Sequence, residues 1–338
     1  MESPRYVVWI FTTSCNLSCL HCYVWRLRNL AELELGEKLR LAEELAELGV
    51  GYVNITGGEP LLHPHFESVT SKLKELGVGL SISTNATIVD EELASLLSRL
   101  EVYAYVSLDG PREVHNKVRG AGAFKRVLKG IENLKRAGLG FTLVMAVGRH
   151  NYRYADKVVE LAVRLGAKEV ALIPIMPSGR ARETGVYAGV VQYLEALKLA
   201  ENKAEELGFP TALWCTPFAP HVVRSRYVRY SFCRSLDVAD VDPSGRLLLC
   251  DVIDVSPASI RSSGSFAEAW RRYSRHPTVQ EVISPKKLPE PCEKCVLRSS
   301  CRGGCFARAL LVYGELNAGD PLCPVRRGLL SSSSREAL

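Results

Sequence analysis

Between residues 5 and about 210 a short apolar run is followed, six times over, by a segment of helical periodicity, and that rhythm narrows the fold more than any other property of the chain. The apolar runs cover 6–11, 52–55, 78–82, 102–107, 141–147 and 170–175. The helical segments cover 34–48, 66–76, 91–100, 124–137, 154–165 and 190–207. Gly49, Gly77, Gly138 and Gly166 stand where helices stop, and Asp90 is placed to cap a helix start. Nearly continuous apolar strands alternating with helices predict an α/β fold whose parallel sheet is covered by helices. In such folds active groups gather beyond the C-terminal ends of the strands. No G-x-G-x-x-G opens the first helix, which argues against a doubly wound dinucleotide-binding sheet.

The chemically distinctive residues follow the strands. After the first comes Cys15-Asn16-Leu17-Ser18-Cys19-Leu20-His21-Cys22-Tyr23, with three thiols spaced C-x3-C-x2-C. Three thiolates in one loop hold three irons of a cubane cluster and leave the fourth iron open, as a catalytic metal keeps a vacant position. A zinc loop would pair its cysteines with a second nearby pair, and none follows before Cys215. Thr56-Gly57-Gly58-Glu59-Pro60 follows the second strand, Ser83-Thr84-Asn85 the third, Ser107-Leu108-Asp109-Gly110 the fourth, and residues 148–151 the fifth. Two glycines allow close backbone approach to a ligand, and a carboxylate beside them can accept from an ammonium group.

The chain has 338 residues, 47% hydrophobic and 24% charged, as in a globular protein with a substantial core. No apolar run approaches the ~20 residues needed to span a bilayer, so no membrane association is expected. The start carries no signal-peptide pattern, and a cytoplasmic location is expected. Eleven cysteines in that compartment point to metal or redox chemistry. A net charge of +6 is mild, and its local basic runs read as solvated surface, so no nucleic-acid partner is expected. A basic face would still favour an acidic electron donor of the ferredoxin or flavodoxin kind.

The nonet at 15–23 resembles the signature of the radical S-adenosylmethionine (SAM) superfamily, including the aromatic Tyr23 after the third cysteine. The resemblance implies a partial (β/α)6 TIM-type barrel over residues 1–210. It also implies a [4Fe–4S] cluster on Cys15, Cys19 and Cys22 that chelates SAM, and reductive cleavage of SAM to a 5′-deoxyadenosyl radical that abstracts hydrogen from a substrate. Gly57, Gly58 and Glu59 are similar to the family's GGE motif, which binds the SAM amino group. Ser83, Asn85, Ser107 and Asp109 match positions that touch the ribose and methionine parts of SAM, and each also reads as a strand-end cap. Arg119 would pair with the SAM carboxylate.

From about 211 to 327 helical periodicity thins, prolines accumulate and eight cysteines arrive. Cys233, Cys250, Cys292, Cys295, Cys301, Cys305 and Cys323 resemble the SPASM extension of radical SAM enzymes, a small cysteine-rich domain carrying two auxiliary iron–sulfur clusters. A zinc ribbon on Cys292, Cys295, Cys301 and Cys305 is the alternative for these residues. The family pattern assigns Cys292, Cys295, Cys301 and Cys323 to an outer cluster, and Cys233, Cys250 and Cys305 to an inner one. The inner cluster's fourth position stays open: either Cys215 loops back to it, or one iron is free to bind substrate. Asp251 matches an aspartate that acts as a base in sulfatase-maturing relatives, and equally reads as a turn residue. Arg180, beyond the sixth strand, would grip a substrate carboxylate. Residues 328–338 read as a disordered tail.

Only a short segment precedes the first strand, so no separate N-terminal peptide-recognition domain is expected. The passage from Cys301 to Cys323 is similar to the tail of enzymes that build cofactors, by trimming iron-tetrapyrrole side chains or maturing peptide-derived cofactors. The expected function is therefore radical modification of a cofactor or its precursor. Oxidation or cross-linking of a peptide or protein side chain is the second reading, and a non-catalytic iron–sulfur scaffold the third.

Overall fold

A computed structural model describes residues 3–332. The tail expected over 328–338 therefore falls mostly outside the described residues. In chain order the first region contains β1 (Tyr6–Thr12), α1 (Leu35–Glu47), β2 (Tyr52–Gly57), α2 (Phe66–Glu75), β3 (Gly79–Thr84), α3 (Glu91–Arg99), β4 (Tyr103–Ser107), α4 (Arg112–Arg119), α5 (Ala123–Arg136), β5 (Phe141–Val147), α6 (Ala155–Leu165), β6 (Glu169–Pro174), α7 (Arg180–Thr184) and α8 (Val190–Leu207). All six expected strands are present. Of the helices, α4 and α7 are additional to the periodic segments. Asp90 caps α3 by accepting from the Leu93 amide at 2.9 Å, and Gly166 ends α6 in the left-handed region.

Five further strands and five helices follow: β7 (Thr211–Leu213), β8 (Val228–Tyr230), β9 (Val238–Val241), β10 (Arg246–Leu248), β11 (Ala258–Ser259), α9 (Ile260–Ser263), α10 (Phe266–Arg275), α11 (Pro277–Ile283), α12 (Arg298–Cys301) and α13 (Phe306–Tyr313). All the strands belong to one sheet in the order β11-β10-β9-β1-β2-β3-β4-β5-β6-β7-β8. β1 to β8 are parallel neighbours, each helical crossover returning the chain to the next position. This arrangement is consistent with a partial TIM-type barrel, in which β8 and β11 are edges. The second region is not a separate layer, because β9 pairs in parallel with β1, Val8 opposite Asp240.

The two faces of the sheet differ. Val7, Trp9 and Phe11 of β1, with Val53 and Ile55 of β2, turn toward the helices and are buried. The alternate residues turn to a polar, aromatic inner face. There Tyr6 stacks on Tyr52, Asn54 donates to Ser81 at 2.9 Å, and Tyr105 meets Trp214 edge-on. Burial on the helix side supplies the cohesion, and the inner face is left for chemistry.

Gly130, in the middle of α5, marks one close approach in this core. A Cβ added there would lie 2.0 Å from the Ala86 carbonyl oxygen, in the turn after β3. Gly→Ala in a helix interior ordinarily stabilises by about 1 kcal/mol. At Gly130 the sign should invert, with Gly130→Ala lowering stability by roughly 1–3 kcal/mol as an overpacked contact. Urea unfolding followed by far-UV circular dichroism checks this, and an unchanged or raised midpoint would refute the close approach.

Candidate active site and thiol centres

The cysteine loop is clamped from two sides. The Gly58 amide donates to the Thr12 carbonyl and the Glu59 amide to the Ser14 carbonyl, both at 2.8 Å. Added Cβ atoms would lie 2.3 Å from the Thr12 carbonyl oxygen at Gly57, and 2.1 Å from that of Ser14 at Gly58. Gly57 also has φ +137°, a backbone conformation that favours glycine. The close approach these glycines permit is thus first of all to the cysteine loop itself. On the other side Glu32 accepts from the Thr12 hydroxyl at 2.9 Å and the Thr13 amide at 2.8 Å. Glu32 is itself held by His63 and stands near Lys38, whose buried ammonium lies over the Phe11 ring. Burial lowers Lys38 to about 8 despite Glu32.

The three thiols converge. Burial first, with Asp109, Cys22 and Cys15 acting in the same direction, pushes Cys19 up to about 11. Cys15 is raised by burial first, and in turn feels Glu59 and Cys22. Thiols of one short loop that feel one another's charge are a donor set that suits a bound cation. The ordered backbone of the loop is fixed by the Leu20 amide donating to Val118 and the Arg180 amide donating to Cys22.

Beneath the loop Asp109 is wholly buried. Its side chain accepts from Arg119 Nε at 2.5 Å and from the Ala146 amide at 2.9 Å. Burial alone would raise its pKa, but Arg119, His21 and His115 together hold it below the usual carboxylate range. Arg119 Nη2 lies 3.3 Å from His21 Nε2, so its guanidinium ties α4 to the cysteine loop. Burial lowers His21 to about 4, and its Nδ1 is buried with no partner. Asn85 donates to Asn16 Oδ1 at 2.9 Å and approaches Cys15 Sγ at 3.8 Å. Ser83 donates to Asn54, and Ser107 is half-buried at the end of β4.

Glu59 is turned inward. Its oxygens accept from the Thr84 hydroxyl and the Asn85 amide, each at 2.8 Å. Burial nevertheless raises its pKa to about 7, outweighing these donors and Arg119.

The other eight thiols form two sets. Cys215 is pushed well up by burial, then by Cys305 and Cys233. Cys250 is likewise raised by burial, then by Asp251, Asp240, Cys305 and Cys215. Cys215, Cys233, Cys250 and Cys305 thus feel one another's charge, Cys215 reaching this group from eighteen residues upstream of Cys233. Cys301, raised mainly by burial, feels Cys323, Cys292 and Cys295. Those four line one cavity with Phe218, His221, Arg298 and Arg326. All eleven cysteines are free thiols.

Two polar groups fit the sets for sulfur-bound metal. Arg234 lies beside Cys233, Cys305 and Cys301, and its Nη2 is buried without an acceptor. The buried ion pair of Arg308 and Asp320 (2.6 and 2.8 Å) fastens the inner set, as Arg308 donates to the Cys215 carbonyl at 3.0 Å and Asp320 accepts from the Cys305 amide at 3.0 Å. Neither role was evident in the sequence, where Arg234, Arg308 and Asp320 are ordinary neighbours of cysteines.

The two regions meet at Tyr23. Burial, then the charge of Asp251, raises the pKa of its hydroxyl. Arg26 donates to the Asp251 and Ile253 carbonyls. Asp240, Cys250 and Asp251 place a ligand atom each within 4.8 Å of one another. Arg180 lies against the Trp25 ring, its guanidinium carbon 5.3 Å from the centroid. Asp240 was not singled out in the sequence, since only the parallel pairing of β9 with β1 brings it here.

Against this geometry the comparisons with known proteins are consistent. The radical SAM superfamily model matches residues 9–172, from β1 through β6. Mycofactocin maturase MftC of Mycobacterium ulcerans is 28% identical over 333 residues, covering 96% of this chain and 88% of the relative. The AdoMet-dependent heme synthase of Methanosarcina barkeri is 26% identical over 348 residues, covering 97% and 98%. Streptococcus suis SuiB bound to precursor peptide SuiA shares the fold with a TM-score of 0.77 at 14% identity, over 96% of this chain and 76% of that one. Native anSMEcpe with bound AdoMet shares it with a TM-score of 0.75 at 19% identity, over 97% and 96%. No helix among the described residues is long and apolar enough to cross a membrane.

Glu59 gives a pH test of the clamp. A carboxyl whose pKa rises on folding, from 4.5 to about 7, binds its proton more tightly in the folded state. Its stabilising contribution is complete below about pH 4.5 and is lost as pH rises through 7. Glu59→Gln should therefore flatten the stability profile between pH 4.5 and 7 relative to the parent chain. Urea midpoints across that window measure the difference, and parallel profiles would contradict the assignment.

Proposed function

Because the chain belongs, through residues 9–172, to the radical SAM superfamily and is therefore an enzyme, we propose that it carries out radical modification of a cofactor or cofactor precursor, with Asp251 as the base. Cys15, Cys19 and Cys22 would hold the [4Fe–4S] cluster that the family implies. When bound, that cluster supplies the electron that cleaves SAM to methionine and the 5′-deoxyadenosyl radical. Gly57, Gly58, Glu59, Ser83, Asn85, Ser107, Asp109 and Arg119 form the proposed SAM-binding side of the site, where the Arg119–Asp109 pair keeps the cysteine loop in position.

The observation that supports the reading is the bridge made by Arg26, which donates to the Tyr23 carbonyl at 2.9 Å and to the Asp251 and Ile253 carbonyls. It puts the Cys250–Asp251 turn against the third cysteine, so a substrate entering between them meets the hydrogen-abstracting and proton-accepting groups together. Asp251 would take the proton released as the substrate is oxidised. Cys215, Cys233, Cys250 and Cys305 would hold the inner auxiliary cluster, and Cys292, Cys295, Cys301 and Cys323 the outer one. With Cys215 as fourth ligand the inner cluster has no open iron, and its part is electron transfer. A ferredoxin- or flavodoxin-like protein would supply the electrons. A cofactor substrate is supported by likeness over nearly the whole chain to a mycofactocin maturase and a heme synthase.

Oxidation of a peptide side chain is the second reading. It is favoured by the aspartate directly after Cys250, and a precursor peptide is the partner in the SuiB structure. A substrate screen separates the two readings, with porphyrins on one side and peptides encoded by neighbouring genes on the other. Turnover of peptides alone would overturn the tetrapyrrole form of the proposal.

Two measurements test the assignments. Anaerobically reconstituted enzyme with dithionite and SAM should release 5′-deoxyadenosine, and a Cys15/Cys19/Cys22→Ala triple variant should release none while keeping about eight irons. Fewer than about five irons would reject two auxiliary cubanes. Asp251→Asn should lower substrate turnover by roughly 10²-fold or more while SAM cleavage persists. Intact turnover in that variant would remove Asp251 from the mechanism.

A further inference from the structure

His221 is the one histidine set against the outer thiols. It closes the short helical turn Ala219–His221, with its backbone amide 3.0 Å from the Phe218 carbonyl. Pro217 and Pro220 stiffen this segment, and Phe218 anchors it with a fully buried ring. The His221 side chain is 1% exposed, and its Nε2 stands 3.2 Å from Cys295 Sγ. Cys295 also receives the Leu297 amide at 3.5 Å.

We propose that the His221 imidazole donates its Nε2–H to the Cys295 sulfur and thereby raises the reduction potential of the outer iron–sulfur centre. This rests on the reading above, in which Cys295 is a cluster ligand. A ligand thiolate carries no proton, so the nitrogen must be the donor. A hydrogen bond to a cluster sulfur draws charge from the centre and stabilises its reduced, more negative form more than its oxidised form. His221 is a positioning residue, acting on the centre through Cys295. The same stretch of chain carries Cys215 to the inner set six residues earlier, so one rigid segment contacts both sets of thiols. Its conformation links the inner ligand to the donor that poises the outer centre.

The experiment is a redox titration, monitored by electron paramagnetic resonance, of the full-length, anaerobically reconstituted protein and its His221→Leu and His221→Gln variants. Loss of the donor in His221→Leu should change the reduced-to-oxidised ratio of the outer centre about tenfold at fixed potential, the size of one charge-assisted hydrogen bond. For a one-electron couple that is a fall of about 59 mV. His221→Gln, which retains an N–H, should recover most of the shift, and the centre on Cys15, Cys19 and Cys22 should not move. An outer centre that is present by iron count but titrates unchanged in His221→Leu overturns the proposal. If His221→Leu loses the centre, the parent protein grown with ¹⁵N-histidine decides: a weak imidazole nitrogen coupling to the reduced outer centre supports the donor, and none overturns it. Parent protein that binds only enough iron for two centres would instead defeat the cluster assignment itself, and the proposal with it.

Discussion

The site depends on how tightly the backbone after β2 lies against the backbone after β1. Gly57 and Gly58 pass so near Thr12 and Ser14 that any side chain would strike a carbonyl oxygen, and two amide donors lock the contact. The cysteine loop begins one residue later, so its entry is set by main-chain packing. A loop that must present three thiols to one group gains from this, because the ordering cost is met on folding and not at the moment of binding. Glu32 completes the clamp from the opposite side, and Arg119 with Asp109 holds the far end of the loop.

The cysteine-rich region follows the same principle with different residues. Arg308 and Asp320 form an ion pair that is almost wholly removed from water. Such a pair offsets its own desolvation only when its remaining hydrogen bonds are filled. Here they are: Arg308 reaches the Cys215 carbonyl, and Asp320 takes the amides of Cys305 and Leu322. Removing one partner would leave a buried charge at a cost of about 3–5 kcal/mol. The pair thus does for Cys215 and Cys305 what the glycine contact does for Cys15, Cys19 and Cys22. In both places the cysteines are posted on backbone whose position is fixed by contacts within the chain.

What the sequence disclosed divides along the same line as local and non-local physics. The six strands and their principal helices were readable because apolar periodicity, glycine stops and the Asp90 cap act within a few residues. α4 is not, since it is only eight residues long after Pro111 and buries only His115 and Val118, too little for a periodic signal. Its loss matters, because α4 carries Arg119 into the site. β7 to β11 are two to four residues long and gain their place only by pairing with distant strands. Motif spacing places Glu59 and the two glycines toward a ligand. The fold gives them contacts within the chain as well, and those contacts depend on where β1 and β3 end.

Asp240 shows how far non-local register reaches. It stands opposite Val8 because β9 adds to β1 in parallel, and β10 then returns antiparallel with Leu248 beside Asp240. A slip of one residue would turn Asp240 to the helix-covered face and bury its carboxylate among apolar side chains. The register that avoids this also sets Cys250 and Asp251, two and three residues past Leu248, within reach of Asp240 and Tyr23. β1 therefore serves both halves of the site. Its C-terminal end delivers the cysteine loop, and its open edge fixes the strand pair that delivers the second set of groups to the same place. A single strand with two duties explains why the segment that carries Cys250 and Asp251 is built into the sheet.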